Sequence, residues 1–143
     1  MNIWFECGIR YDKTMENGMQ KKVTELYLVP AVSFGDAEAR ITEEISAYIS
    51  GEFVISTVKR ANYTEIFQTD DSAADKWFKC KVNFITLDEK SGTERKKGCL
   101  MLVQAASTED ANSKLNEGMK GTMSDYQITS VSETNIFDVY FNN

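Results

Sequence analysis

Ile3, Phe5, Cys7, Ile9 and Tyr11 alternate with Trp4, Glu6, Gly8 and Arg10, a period of two that predicts a β-strand with one apolar face. The pattern returns at Phe78, Cys80, Val82 and Phe84, which alternate with Trp77, Lys79, Lys81 and Asn83. A turn signal follows each strand, Asn17-Gly18 in the first stretch and Ser91-Gly92 in the second. Each leads into another apolar run, Val23 to Val29 and Cys99 to Val103, so each stretch opens with a β-hairpin. The period then changes. Ala37, Ile41, Ile45, Tyr48 and Ile49 recur at helical spacing, as do Ala111, Leu115, Met119 and Met123. Ser33 and Ser107 are the expected N-caps, Asp36 and Asp110 place negative charge in the first turns, and Gly51 is expected to end the first helix. Phe53 to Val58 and Tyr126 to Val131 again alternate as strands. A short run follows each, Tyr63 to Phe67 and Ile136 to Phe141.

The two stretches agree residue by residue at spacings of 73 or 74. Trp4-Phe5-Glu6-Cys7 meets Trp77-Phe78-Lys79-Cys80, Leu28-Val29 meets Leu102-Val103, Asp36-Ala37 meets Asp110-Ala111, and Phe53, Ile55, Val58 and Asn62 meet Tyr126, Ile128, Val131 and Asn135. A fixed long period of this kind is the signature of a duplicated folding unit. The pattern predicts an α+β fold: tandem ββαβ repeats, each with a run that allows one more short strand, with internal pseudo-two-fold symmetry. The sheet should be mostly antiparallel with two helices packed on it. Residues 1–67 form repeat one, 77–143 repeat two, and the Asp-, Ser- and Ala-rich segment 68–76 connects them within a single domain, 1–143.

Several stretches resemble a family of small bacterial proteins classed as a domain of unknown function, family 4494, over nearly the full length. The resemblance is carried by Trp4-Phe5-Glu6-Cys7, Gly51-Glu52-Phe53, Lys59-Arg60-Ala61-Asn62-Tyr63, Trp77-Phe78-Lys79-Cys80-Lys81-Val82-Asn83-Phe84 and Glu117-Gly118-Met119-Lys120-Gly121. It implies no activity, cofactor or site residue.

Composition narrows the chemistry. The 143 residues carry 16 basic and 22 acidic side chains, a net charge of −6 that argues against a wholly basic nucleic-acid binder and leaves local basic faces open. There is no histidine, which removes the commonest general base and the usual Ser-His, Cys-His and catalytic zinc sets. The three cysteines are an odd number with no apolar signal segment beside them, so a reduced cytoplasmic setting is expected. No apolar run is long enough to span a membrane.

The tryptophans are the leading candidates, since alternation puts Trp4 and Trp77 on the face away from the Phe-Cys core. Such a face is either covered, by the other repeat or by a homodimer partner, or open as a stacking platform. Lys79 and Lys81 share the face of Trp77, and Arg10 the face of Trp4. Basic residues interleaved with aromatics suit single-stranded nucleic acid, while Lys-rich hairpins also serve as plain solubilising edges. A second candidate is Lys59-Arg60-Ala61-Asn62-Tyr63, where the copies differ: the aligned run is Ser132-Glu133-Thr134-Asn135-Ile136. Arg60 could hold a carboxylate or phosphate with help from Lys59, Asn62 and Tyr63, or the run could be a solvated strand end. Cys7, Cys80 and Cys99 without histidine do not complete a usual structural zinc site, and Cys7 and Cys80 read as small buried hydrophobes; Asp70-Asp71 reads as linker rather than as a divalent-cation site. The expectation is a non-enzymatic binding module without cofactor or metal, its partner a nucleic acid or a protein. Self-assembly through the tryptophan faces is the alternative, and an enzyme of unknown class comes third.

Overall fold

The computed structural model describes residues 3–141. In chain order the elements are β1 (Ile3–Thr14), β2 (Gln20–Ala31), α1 (Phe34–Ser46), β3 (Phe53–Ala61), β4 (Tyr63–Phe67), β5 (Lys76–Leu87), β6 (Glu94–Ala105), α2 (Thr108–Gly118), β7 (Asp125–Glu133) and β8 (Ile136–Val139). The fold is α+β, with two four-stranded, mostly antiparallel sheets and a helix on each.

Both hairpins form where the turn signals lie. Met15 and Met19 close the first, with Gly18 at φ 81°, and Asp88 and Thr93 close the second, with Gly92 at φ 70°. These left-handed conformations are why glycine stands in each turn. Ser33 and Ser107 cap the helices as expected. Each hydroxyl accepts from the backbone N–H three residues on, of Asp36 and of Asp110, at 3.1 Å. Each of those aspartates accepts in return from a backbone N–H before the cap, that of Val32 or Ala106.

The helices stop earlier than the apolar spacing suggests. α1 closes at Ser46 with Ala47 as its cap, four residues before Gly51, so Tyr48 lies beyond the helix and is 74% exposed. α2 closes at Gly118 with Met119 as its cap, and Met123 is 99% exposed. An apolar residue continuing the spacing cannot prolong a helix once the backbone has turned, so Tyr48 and Met123 are corrected from core to surface. Neither helix is long and apolar enough to cross a membrane.

The chain divides into two compact units, 1–62 with 135–143 and 63–134. These do not follow the sequence repeats, because each sheet receives its last strand from the other stretch of chain. Sheet order in the first unit is β3-β1-β2-β8, and in the second β4-β6-β5-β7. β8 runs parallel to β2, and β4 runs parallel to β6. The chain leaves β3 at Ala61 and enters the other sheet at Tyr63 through Asn62 alone. It returns from Glu133 to Ile136 through Thr134 and Asn135.

Register irregularities recur at matching places. The β1–β3 register shifts between Gly8 and Ile9, and the β5–β7 register between Lys81 and Val82. A hydroxyl donates to the backbone at each: Ser56 to the Gly8 carbonyl and Thr129 to that of Lys81. The parallel pairs slip between Leu26 and Tyr27 and between Leu100 and Met101.

Each unit has its own core between helix and sheet. In the first, Phe5, Cys7, Ile9, Tyr27 and Val29 pack against Ala37, Ile41 and Ile45 of α1. In the second, Phe78, Cys80, Val82, Met101 and Val103 pack against Ala111 and Leu115 of α2, with Met119 beside them. The alternating residues of β1 and β5 thus face the helices, as their period requires. Burial of about 1.5–3 kcal/mol per large apolar side chain is the main stabilising term here.

Candidate functional site

Trp4 pairs across the sheet with Pro30 and Ala61 and is half-buried, its ring edge-on to that of Phe141 at 5.6 Å. Trp77 is only 4% exposed. Its carbonyl accepts from both the backbone N–H and the hydroxyl of Thr134, at 2.9 and 2.8 Å. At this end of each sheet the face away from the helix is apolar and covered, with Leu28 and Leu102 fully buried. The Trp77 ring therefore presents no open stacking surface.

Farther along β5 the same face turns from apolar to polar. Cross-strand partners share a face, so half-buried Lys79 stands between the buried Leu102 and Ser132, exposed Lys81 between Leu100 and Ser130, and Asn83 between Gly98 and Gln127. Lys96 pairs with Ile85 on this face as well. Gly98 leaves room for the Asn83 amide, whose Oδ1 would lie 3.2 Å from a Cβ added there. The corresponding positions of the first unit are different in charge. Glu6 stands where Lys79 does and forms an ion pair with Lys59 at 3.0 Å, and Gly8 stands where Lys81 does. Among the described residues neither Lys79 nor Lys81 is in an ion pair. Arg10 is exposed in the first unit, opposite Thr24 and Val54.

Lys59 to Tyr63 do not converge on one site. Lys59 is engaged with Glu6, whereas Arg60, opposite Phe5, is exposed on the helix side of the sheet. Asn62 is the crossing residue, and Tyr63 pairs with Leu100 in the other sheet. The run is one of the two places where the chain changes sheets, the aligned run Ser132 to Ile136 being the other.

A family model described as a domain of unknown function, DUF4494, matches residues 3–142. The chain belongs to this family. No curated protein and no solved structure matches it.

Two further features of this DUF4494 chain went unsingled in the sequence. The first is a partly buried carboxylate in the first unit: Glu25 accepts from the hydroxyls of Tyr11 and Tyr27 at 2.8 and 2.9 Å, and Lys13 approaches it at 3.7 Å. Tyr27 also stacks on Tyr140, centroids 5.7 Å apart, and meets Phe137 edge-on. Burial first, and then the Glu25 carboxylate, pushes the Tyr11 hydroxyl up to about 12 and Tyr27 up as well. The aligned residues of the second unit are Phe84, Cys99, Met101 and Phe67, so this polar cluster belongs to one unit only. That contrast was the available signal.

The second feature is a crevice between helix and crossing strand in each unit. One, of about 200 Å³, is lined by Pro30, Arg40, Glu43, Glu44, Tyr140 and Phe141. The other, of about 230 Å³, is lined at aligned positions by Gln104, Lys114, Glu117, Gly118, Phe67 and Gln68. Both are below the roughly 300–1,000 Å³ of ordinary small-molecule sites. A larger depression at Lys13 to Asn17, about 540 Å³, is the open side of a hairpin tip and gathers no convergent polar groups. Among the described residues no group of three or more metal-ligating side chains is assembled. Burial raises the Cys7 thiol to about 12, helped by Glu6, and the Cys80 thiol to about 11. Both side chains behave as core hydrophobes.

Proposed function

We propose that this chain is a non-enzymatic binding module that holds single-stranded nucleic acid on the sheet face of its second unit, at Lys79, Lys81 and Lys96. The supporting observation is the charge contrast between two faces of like build. Where the first unit has Glu6 neutralising Lys59, and Gly8, the second has two lysines without ionic partners, each between a leucine of β6 and a serine of β7.

Lysines spaced by two along a strand repeat at roughly 6.5–7 Å, a spacing suited to successive phosphates of an extended single strand. Asn83, Gln127, Ser130 and Ser132 can donate and accept hydrogen bonds to sugars and base edges. Trp77, being buried, takes no part in stacking, so affinity rests on phosphate contacts and is strongly salt-dependent. A protein without histidine has few routes to acid–base chemistry, which supports binding over catalysis. Three free cysteines fit a reduced, cytoplasmic setting.

The test is fluorescence anisotropy of labelled oligo-dT and oligo-rU at low salt. Binding should weaken as salt rises, and Lys79→Ala with Lys81→Ala should reduce the salt slope by about 1.4. Binding indifferent to both substitutions would refute the assignment to this face, and no binding at low salt would refute nucleic acid as the partner.

A further inference from the structure

Every chain carries two strand slots and two strands that fill them. β8 lies parallel to β2 with Leu26 opposite Ile136 and Leu28 opposite Val139. β4 lies parallel to β6 with Leu100 opposite Tyr63 and Leu102 opposite Ile66. Both strands skip one residue at the same step, Phe137 in β8 and Thr64 in β4. Ile136 and Val139 are buried in their slot, and the Tyr140 N–H donates to the Leu28 carbonyl at 2.8 Å just beyond it. Each strand reaches its slot from the other compact unit, across one residue in the first crossing and two in the second.

From this arrangement we infer that the β2 slot is an interaction surface for a second copy of the chain, which fills it with its own β8 in an exchanged dimer. The inference stands on topology alone and is independent of the binding proposed for the Lys79 face. A second copy is the occupant whose strand matches the slot by identity, and exchange keeps every residue pair between β2 and β8. Only the path of Thr134 and Asn135 differs between closed and exchanged forms. In-chain closure wins at low concentration because a short connection gives an effective concentration on the order of millimolar. Refolding at comparable chain concentrations should let exchange compete.

The test uses the full chain, unfolded in denaturant and refolded at increasing concentration, with mass measured by light scattering. Monomer is expected at the lowest concentrations and a growing dimer fraction toward millimolar chain. Isotopically labelled and unlabelled chains refolded together should give mixed dimers, whereas folded monomers simply mixed should not. Ile136→Asp with Val139→Asp weakens the same pairing in the closed and exchanged forms alike, so it should leave the dimer fraction close to that of the unaltered chain, and circular dichroism checks that this variant folds. Deletion of Asn135 serves as a second variant that leaves strand and slot intact; by shortening the crossing it should raise the dimer fraction. A chain that stays monomeric at every refolding concentration would overturn the inference. So would a dimer that forms at once between folded monomers, or one that deletion of Asn135 does not raise.

Discussion

The ring of Phe67 lies against Gly118 so closely that a Cβ on the glycine would come within 2.7 Å of a ring carbon. Phe67 ends the crossing strand β4 and Gly118 ends α2, so this contact is where the incoming strand meets the helix of the second unit. At the aligned positions of the first unit stand Tyr140 and Glu44, so the close approach belongs to one unit. Alanine at a helix end ordinarily gains up to about 1 kcal/mol over glycine. Here Gly118→Ala should instead destabilise by about 1–3 kcal/mol, because the ring must leave its place in the core. Urea unfolding measures this, and Phe67→Leu in the same chain should recover part of the loss. A stabilised Gly118→Ala variant would show that the ring moves freely.

How much of this could be read from the chain alone differs between local and distant features. Strand faces, hairpin turns and both serine caps follow from periods and from residues within a turn of each other, and they lie where the pattern puts them. The destination of Tyr63 to Phe67 does not: nothing in a five-residue strand pattern says which sheet it joins, and it crosses through Asn62 to pair with β6. Likewise the period placed Trp77 on the face away from the helix but could not say that this end of the face is covered. Lys79 and Lys81 were legible as a basic face. Their lack of ionic partners was not, since it depends on Ser130 and Ser132, which neighbour them only through β5–β7 pairing.

Lys114 bonds Asp110 and Asp71 at 2.8 and 2.9 Å, tying the segment between β4 and β5 to α2. The ammonium holds both carboxyls below their ordinary value of 3.8, and Asp110 first, then Asp71, holds the lysine above 10.5. A lowered carboxyl stabilises the fold above its unfolded value and loses that contribution as pH falls through the folded one. A raised lysine contributes below 10.5 and loses its contribution as pH rises. The triad therefore stabilises between these limits and fades at both ends. Lys114→Met should flatten the acid-side decline of the urea midpoint below pH 3.8. An unchanged acid slope would show that the triad does not contribute.

Glu25 keeps the hydroxyls of Tyr11 and Tyr27 protonated by burial with them and by accepting from both. Their raised values stabilise the fold fully below the ordinary tyrosine value of 10.0 and less as pH climbs through the folded values. Glu25→Gln removes the negative charge and leaves burial, which is the larger cause. In a ring-carbon NMR titration the Tyr11 and Tyr27 signals should therefore begin to shift at lower pH than in the unaltered protein but still above 10.0. An onset identical to the unaltered chain would mean the carboxylate has no part in the shift.

The proposed binding face is tested most directly by amide chemical-shift mapping on the labelled chain as oligo-dT is added at low salt. Shifts should concentrate at Lys79, Lys81, Asn83 and Lys96 and at Ser130 and Ser132 across β7, while Glu6, Gly8 and Thr57 at the aligned positions of the first unit stay in place. Shifts centred on the first unit, or none at concentrations where anisotropy reports binding, would contradict it.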